Sequence, residues 1–435
     1  MPEKKKKVLV ITYYWLPHSG TGSYRISKFV KYLIRAGWEP IILTPARSSS
    51  PFEEKQIEEV FHNIKVYRTK ILEPTFMLQK KTRSDSGFAN AAFFLSKNQP
   101  LKQKFIRWVR INLFIPDAKI LWKPFAVRKG KEVIKKEKPA LIFSTAPPPS
   151  TQLVAKKLAS WSKLKWIADF RDPWTNIYYY ELLNTNPLSK KINRQLEEKV
   201  LQQADRIVTV SNGFFSAPEA QKKNIRIENG YDPDDLSPVS SVETKNDQYT
   251  IRYIGTLKTN QFFKNFLLIL KELGKYEEYS KNIRFELTGF VDPDIKQFIR
   301  QESINIDIIF QKYLPHKEAV QKMATADLLI LAIGSGQQSK NVISTKIFEY
   351  LLAQKPILAF GHTDGAANAI LKETKAGEMF SYEEYEPVKR YLLEHYDNWK
   401  NGIDAYQGNT RLAEKYNFKN LTAKLIDTFE HSMNQ

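Results

Sequence analysis

The chain of 435 residues contains no cysteine, which excludes a disulfide framework, a thiolate-held metal and a thiol nucleophile, and fits a reducing compartment. Histidine occurs only six times, without a His-x-x-x-His pair, so no zinc site is expected. Long apolar runs are absent too: none approaches the ~18 residues that a membrane-spanning helix needs. The opening "MPEKKKKVLVITYYWLP" has a basic flank but too few apolar residues for a signal peptide, and "VLVIT" reads as a first strand. There is no Gly-Lys-Ser/Thr of a Walker loop, no G-x-G-x-x-G and no Gly-x-Ser-x-Gly elbow. Internal repeats and extended low-complexity segments are likewise missing.

Acidic residues are scarce in one half only. Residues 1–210 hold 39 Lys and Arg against 17 Asp and Glu, a surplus of 22, whereas 211–435 hold 28 against 30. The formal charge of +20 therefore belongs to the amino-terminal half. Within it, Lys97 to Lys138 carries 13 basic and 3 acidic residues interleaved with Phe105, Trp108, Phe114, Trp122 and Phe125. That mixture suits an anionic membrane surface or nucleic acid; a solvated charged face is the plain alternative.

What is present is an alternation of strand and helix signals. "KVLVIT", "PIILTP", "ALIFST", "KWIADF" and "RIVTVS" are short buried runs separated by helical patterns, the rhythm of a parallel, doubly wound sheet. The tract from 47 to 138 breaks it and is read as a basic helical insertion. Asn229 to Gln248 has the Asp, Pro and Ser content of a linker. "TIRYIGTL", "IRFELTGF", "IDIIF", "ADLLILAI" and "PILAF" then give five strand candidates, and the end of the chain is an amphipathic helical segment. The expectation is two α/β, Rossmann-like domains, 1–230 and 249–410, joined by a linker at 231–248. Residues 411–435 are expected to form a terminal helix that crosses back to the first domain. Ligands of such sheets bind beyond the carboxyl ends of the strands, which points to a cleft between the domains.

Four loops are candidates for chemistry. "SGTG", with Gly20 and Gly22, lies between the first strand and first helix, where backbone N–H groups can face an anion. "WIADFRDPW" puts Asp169, Arg171 and Asp172 at a strand's carboxyl end; they are either catalytic groups or an Asp–Arg brace over Pro173 and Trp174. "YIGTLKTNQFFKNF" places Gly255, Lys258 and Lys264 before a helix, where a lysine can neutralise a diphosphate leaving group. "NVISTKIFEYLLAQKPILAF" is a helix running into a buried strand, with Ser344 or Thr345 as its cap, an apolar stripe of Ile347, Phe348, Leu351 and Leu352, and Lys346 and Glu349 three apart. The pairs Asp232/Asp234 and Asp292/Asp294 sit around prolines and read as turns rather than metal ligands.

In their order, "YYWLPHSGTGSYRISKFVKYLIRAGWEPIILT", "ADRIVTVSNG", "IENGYD", "YIGTL" and "KIFEYLLAQKPILA" resemble family-four glycosyltransferases, retaining enzymes with the GT-B fold that use nucleotide sugars. "DFRDPW" and "STAPPPS" resemble the bacterial branch that builds cell-surface polysaccharides. The resemblance implies that Gly20 and Gly22 lie near donor phosphate and acceptor, that Ser344, Thr345 and Lys346 face the diphosphate, and that Glu349 holds the ribose hydroxyls as the second glutamate of a Glu-x7-Glu motif. The first glutamate is replaced by Asn341, and an arginine common after the loop glycine by Thr256, so neutralisation would fall to Lys258 or Lys264.

The expectation is thus a cytoplasmic transferase, peripheral on the inner face of a bacterial plasma membrane. It would move a sugar from a nucleotide diphosphate to a lipid-linked saccharide, with Asp169, Arg171 and Lys258 as catalytic residues and no metal or other cofactor. The resemblance implies same-face chemistry in which the departing phosphate oxygen takes the acceptor's proton, so no carboxylate pair is required. Two rivals remain. A catalytically silent scaffold of the same fold is suggested by Asn341 and Thr256. A nucleic-acid-binding protein is suggested by the pI of about 9.6, but no zinc finger or RNP motif accompanies it.

Overall fold

Each apolar run becomes a parallel strand. In a computed structural model of the chain, residues 5–19, 21–47, 52–53, 58–72, 101–176, 185–215, 217–236 and 246–435 are described. They divide into two units, Met1–Glu228 with Leu421–Gln435, and Asn229–Asn420.

The first unit holds strands β1 (Lys7–Thr12), β2 (His18–Ser19), β3 (Glu39–Pro45), β4 (Phe52–Glu53), β5 (Lys65–Thr69), β6 (Leu141–Ala146), β7 (Lys165–Phe170), β8 (Arg206–Thr209) and β9 (Asn224–Arg226). Its helices are α1 (Thr21–Arg35), α2 (Leu101–Asn112), α3 (Lys123–Glu137), α4 (Ser150–Ser162), α5 (Pro187–Gln203) and α6 (Pro218–Lys223). Seven strands form one parallel sheet in the order β5-β3-β1-β6-β7-β8-β9, while β2 and β4 pair separately and antiparallel. Val8 to Thr12 and all of β6 are buried. Helices on both faces explain why these strands read as unbroken apolar runs rather than as alternation.

The second unit adds β10 (Tyr249–Ile254), β11 (Ile283–Thr288), β12 (Asp307–Gln311), β13 (Leu328–Ala332), β14 (Ile357–Phe360) and β15 (Gly377–Phe380). Its helices are α7 (Lys264–Leu273), α8 (Glu277–Asn282), α9 (Pro293–Gln301), α10 (His316–Ala324), α11 (Lys346–Ala353), α12 (Ala366–Thr374), α13 (Glu386–Lys400) and α14 (Thr410–Ala413). The sheet is parallel, ordered β12-β11-β10-β13-β14-β15. Alternate residues of β13 enter opposite cores: Leu328 and Ile330 pack with Phe266, Phe285 and Phe360, and Leu329 and Leu331 with Ile347, Phe348 and Leu351. In both sheets the strand order turns back beside the first strand, between β1 and β6 and between β10 and β13. Those are the switch points where a parallel sheet opens a crevice.

The tract 47–138 is not simply an inserted helical block, and that expectation is corrected. β5 pairs with β3 from Ile41↔Lys65 to Pro45↔Thr69 and forms the sheet's edge. α3 packs so closely on β3 and α4 that a Cβ at Gly130 would strike the Leu158 side chain and lie 3.2 Å from Leu43 Cδ2. The strand escaped the sequence reading because "KVYRT" is short, half-exposed and charged, as an edge strand can be. The last segment is also not one helix: α14 and a 3₁₀ turn, Glu414–Tyr416, precede α15 (Phe418–Met433). The Phe429 ring of α15 stands 5.4 Å from both Trp38 and Phe143, inside the first unit's core. Among the described residues no helix is long and apolar enough to cross a membrane.

Candidate functional site

At the second unit's switch point, β10 ends in Tyr253-Ile254 and turns through Gly255 at φ +130°, a conformation that disfavours any side chain. Space is equally restrictive. A Cβ at Gly255 would lie 2.6 Å from the Lys346 ammonium, and one at Gly289, itself at φ +111°, would strike the Gly255 carbonyl. Two glycines thus let the loops after β10 and β11 lie against each other, with Lys346 close above Gly255.

Lys346 opens α11, which Ile347, Phe348 and Leu351 anchor in the core. Tyr350, fully buried, donates its hydroxyl to the Ile330 carbonyl at 3.1 Å and ties the helix to β13. The Lys346 ammonium donates to the Tyr253 hydroxyl at 2.9 Å and lies 4.3 Å from that ring's centre. Tyr253 in turn donates to the Thr256 carbonyl at 2.7 Å. Burial pushes Lys346 down from 10.5 to about 8, partly opposed by the Glu349 carboxylate. A cation held partly desolvated beside a glycine loop gains from a polyanion that restores its charge.

One turn on, Glu349 is 14% exposed and accepts from His316 Nε2 at 3.0 Å. Ser344 and Thr345 are half-buried at the helix start, but neither hydroxyl caps it, a correction of the sequence reading: Thr345 stands at the N-cap in helical geometry without a side-chain bond. Asn341 is exposed.

The other candidates fare differently. Lys258 is exposed, and Lys264, also exposed, sets its ammonium 5.5 Å over Phe298 on α9. The fold brings Lys346 against Gly255, while Lys258 and Lys264, the residues expected to neutralise the leaving group, are exposed. Gly20 lies outside the described residues. Gly22, in the first turn of α1, is required by Tyr14, whose ring Cδ2 would stand 2.6 Å from an added Cβ.

Asp169, expected to be catalytic, is fully buried. Its oxygens accept from Arg25 Nη2 at 2.9 Å, Arg25 Nε at 3.4 Å and Thr145 Oγ1 at 2.6 Å. Arg25 also donates to the carbonyls of Ile227 and Glu228 at 2.8 and 2.5 Å. The pair braces α1, β7 and the strand-end at 227–228. Arg171, 14% exposed, pairs with its neighbour Asp172 at 3.1 Å. Trp174 packs beneath, donating to Asn193 Oδ1 at 3.1 Å. Asp232 and Asp292 do cap turns, accepting from Asp234 N at 3.2 Å and Asp294 N at 3.1 Å.

Sequence reasoning missed Arg25, Tyr253 and His316. Arg25 stands four before Phe29 on the apolar stripe of α1, and that misplaced charge was the available signal. It also missed an acid–base cluster in the first unit. Asp117 accepts from Ser150 N at 2.7 Å and Lys119 N at 2.8 Å, and burial pushes it up to about 6. Lys119, 5.4 Å from the Tyr13 ring centre, is pushed down to about 7 by burial.

No known family model matches the sequence, and no curated protein does either. Solved structures do match. Sucrose-phosphate synthase from Thermosynechococcus elongatus superposes with a TM-score of 0.64 at 12% identity, covering 98% of this chain and 99% of the other. HepE of Anabaena in complex with UDP-glucose gives 0.59 at 13%, covering 98% and 99%. WaaG, a glycosyltransferase involved in lipopolysaccharide biosynthesis, gives 0.54 at 10%, covering 97% and 99%. The fold is therefore the GT-B type of α/β fold, two Rossmann-like domains with parallel sheets of seven and six strands.

Proposed function

We propose that the protein is a glycosyltransferase that takes its sugar from a nucleotide diphosphate donor bound by the second unit. The observation that carries this reading is the Lys346 ammonium held against Gly255 at the switch point between β10 and β13, with Glu349 one turn further along α11. Lys346 and the start of α11 face the diphosphate, and Glu349 accepts from the ribose hydroxyls. Lys346 takes the place that the resemblance gives to an arginine after Gly255, where this chain has Thr256. The neighbours' fold and the UDP-glucose in HepE support a nucleotide-sugar ligand.

Transfer proceeds with retention in this reading: the acceptor hydroxyl attacks the anomeric carbon on the face the diphosphate leaves, and the departing phosphate oxygen takes its proton. Positive charge on that oxygen's side, supplied by Lys346, lowers the barrier without a metal or a carboxylate pair. The acceptor falls to the first unit and is a lipid-linked saccharide of a bacterial cell-surface polymer. Support comes from α2, which has four basic and no acidic residues and exposes Phe105 (66%) and Trp108 (46%). Leu113 and Leu188 are exposed nearby, where Asn112 accepts from Asn186 N at 2.7 Å. Only part of the basic–aromatic tract serves such a surface, since Trp122 is fully buried and donates to Thr69 Oγ1 at 2.7 Å. These features suit peripheral binding to an anionic leaflet.

The test is thermal stability against UDP, GDP, ADP and TDP and their sugars, with Glu349→Ala beside the wild type. One nucleotide should raise the melting temperature, corresponding to about 2.7 kcal/mol at a hundredfold excess over Kd, and the variant should lose the shift. Folded protein that ignores every nucleotide would turn the reading to a silent scaffold. Co-sedimentation at low salt with phosphatidylglycerol vesicles tests the membrane; protein that stays in the supernatant removes that part alone.

A further inference from the structure

We propose that His316 is a positioning residue for Glu349, fixing the carboxylate that receives the ribose; this rests on the donor-site reading above. His316 is the first residue of α10, behind Pro315. Its ring lies between two carboxylates of the second unit, with Nε2 3.0 Å from Glu349 Oε1 and Nδ1 3.9 Å from Asp235 Oδ2. The three side chains are graded in exposure, 29% for His316, 14% for Glu349 and 3% for Asp235. The imidazole is thus the most accessible of the three and Asp235 the most buried.

The geometry has a chemical consequence. An ionised carboxylate only accepts hydrogen bonds, so Nε2 carries the proton and donates to Oε1. Oε1 keeps a second lone pair, and Oε2 is untouched by this bond, so both oxygens can still accept from the two hydroxyls of a vicinal diol. A glutamate has three rotatable bonds, and a free one would lose that freedom on capturing a ribose. His316 removes the freedom beforehand, and ligand affinity gains what ordering would have cost. It touches no ligand atom in this arrangement; its effect runs wholly through Glu349.

The experiment is calorimetric titration of the full chain with UDP, GDP and ADP and with their 2′,3′-dideoxy counterparts. The proteins are wild type, His316→Phe, His316→Gln and Glu349→Ala, each checked for an unchanged melting temperature. Phenylalanine keeps the ring and deletes the donor, whereas the glutamine amide nitrogen reaches the position of Nε2. The wild type should bind the ribose form of its nucleotide more tightly than the dideoxy form. His316→Phe should lose about five- to tenfold in affinity for the ribose form and change little for the dideoxy form, and His316→Gln should restore affinity to within about twofold. Equal weakening of both forms would show a merely structural role, and an unchanged preference would show none; either overturns the inference. If Glu349→Ala loses the ribose preference while His316→Phe keeps it, this inference alone falls. If Glu349→Ala binds every ligand as the wild type does, the donor-site reading falls and takes this one with it.

Discussion

The carboxyl ends of the two sheets are built on one plan and finished in opposite ways. In the first unit the strand-end at β7 carries Asp169, sealed at 0% exposure by Arg25 and Thr145. In the second, Lys346 and Glu349 come to the crevice side of β10 and β13 only half-buried, and their partners are a tyrosine hydroxyl and an imidazole. A charged residue beyond a parallel strand can therefore serve to brace neighbouring elements. What separates the two is whether neighbouring elements use up its hydrogen-bonding capacity. Arg25 spends its donors on Asp169 and two carbonyls, whereas Lys346, with three N–H donors, gives the one that the geometry records to Tyr253.

The contrast can be broken most forcefully on its sealed side. Asp169→Ala leaves the Arg25 guanidinium buried without its carboxylate, and should cost about 3–5 kcal/mol of stability in denaturant unfolding. A loss of activity with unchanged stability would instead restore Asp169 as a catalytic group. On the open side, Lys346→Met removes the charge proposed to face the diphosphate but keeps the bulk over Tyr253. Nucleotide affinity should fall by about 10- to 100-fold, as for a charge-assisted hydrogen bond of ~1.5–3 kcal/mol, with stability at neutral pH unchanged or raised.

The sign of the pH effect follows from the same burial. Lys346 is lowered from 10.5 to about 8 in the folded protein, so the unfolded chain binds more protons between those values. Stability should rise with pH across that window, and below it this group should add no pH dependence. Binding runs the other way: a diphosphate needs the protonated ammonium, so Kd should increase above pH 8 by up to about tenfold per pH unit, and Lys346→Met should flatten the profile. Gly255→Ala should destabilise by roughly 1–3 kcal/mol, since φ +130° strains any side chain and the new Cβ meets Lys346. The smallest effect is expected for Lys258→Ala and Lys264→Ala, each within about ±0.5 kcal/mol of stability and without a change in nucleotide affinity. A marked loss of affinity from either would return neutralisation to the loop after β10.

Much of the architecture was legible because parallel strands covered on both faces leave continuous apolar runs in the sequence. "KVLVIT", "ALIFST" and "KWIADF" coincide with β1, β6 and β7 to within a residue. β5 and β15 were not legible. "KVYRT" is half-exposed and "GEMF" is only four residues long, so neither carries enough apolar pattern to stand out. The site was legible in part: the pairing of Lys346 with Glu349 follows from helical spacing, and Gly255 from its place after a strand. That Asp169 belongs with Arg25, 144 residues away, has no local signature.

The sequence by itself determined the two parallel α/β sheets, the concentration of positive charge in the amino-terminal half, and the shared face of Lys346 and Glu349, because burial and helical period act between residues close in the chain. Only the tertiary structure decided which charges are spent. It gave Arg25 to Asp169, set Lys346 rather than Lys258 or Lys264 against Gly255, and brought His316 to Glu349 from a separate helix. Ion pairing and desolvation depend on distance in space, and the turns that bring these residues together are set by the packing of whole sheets.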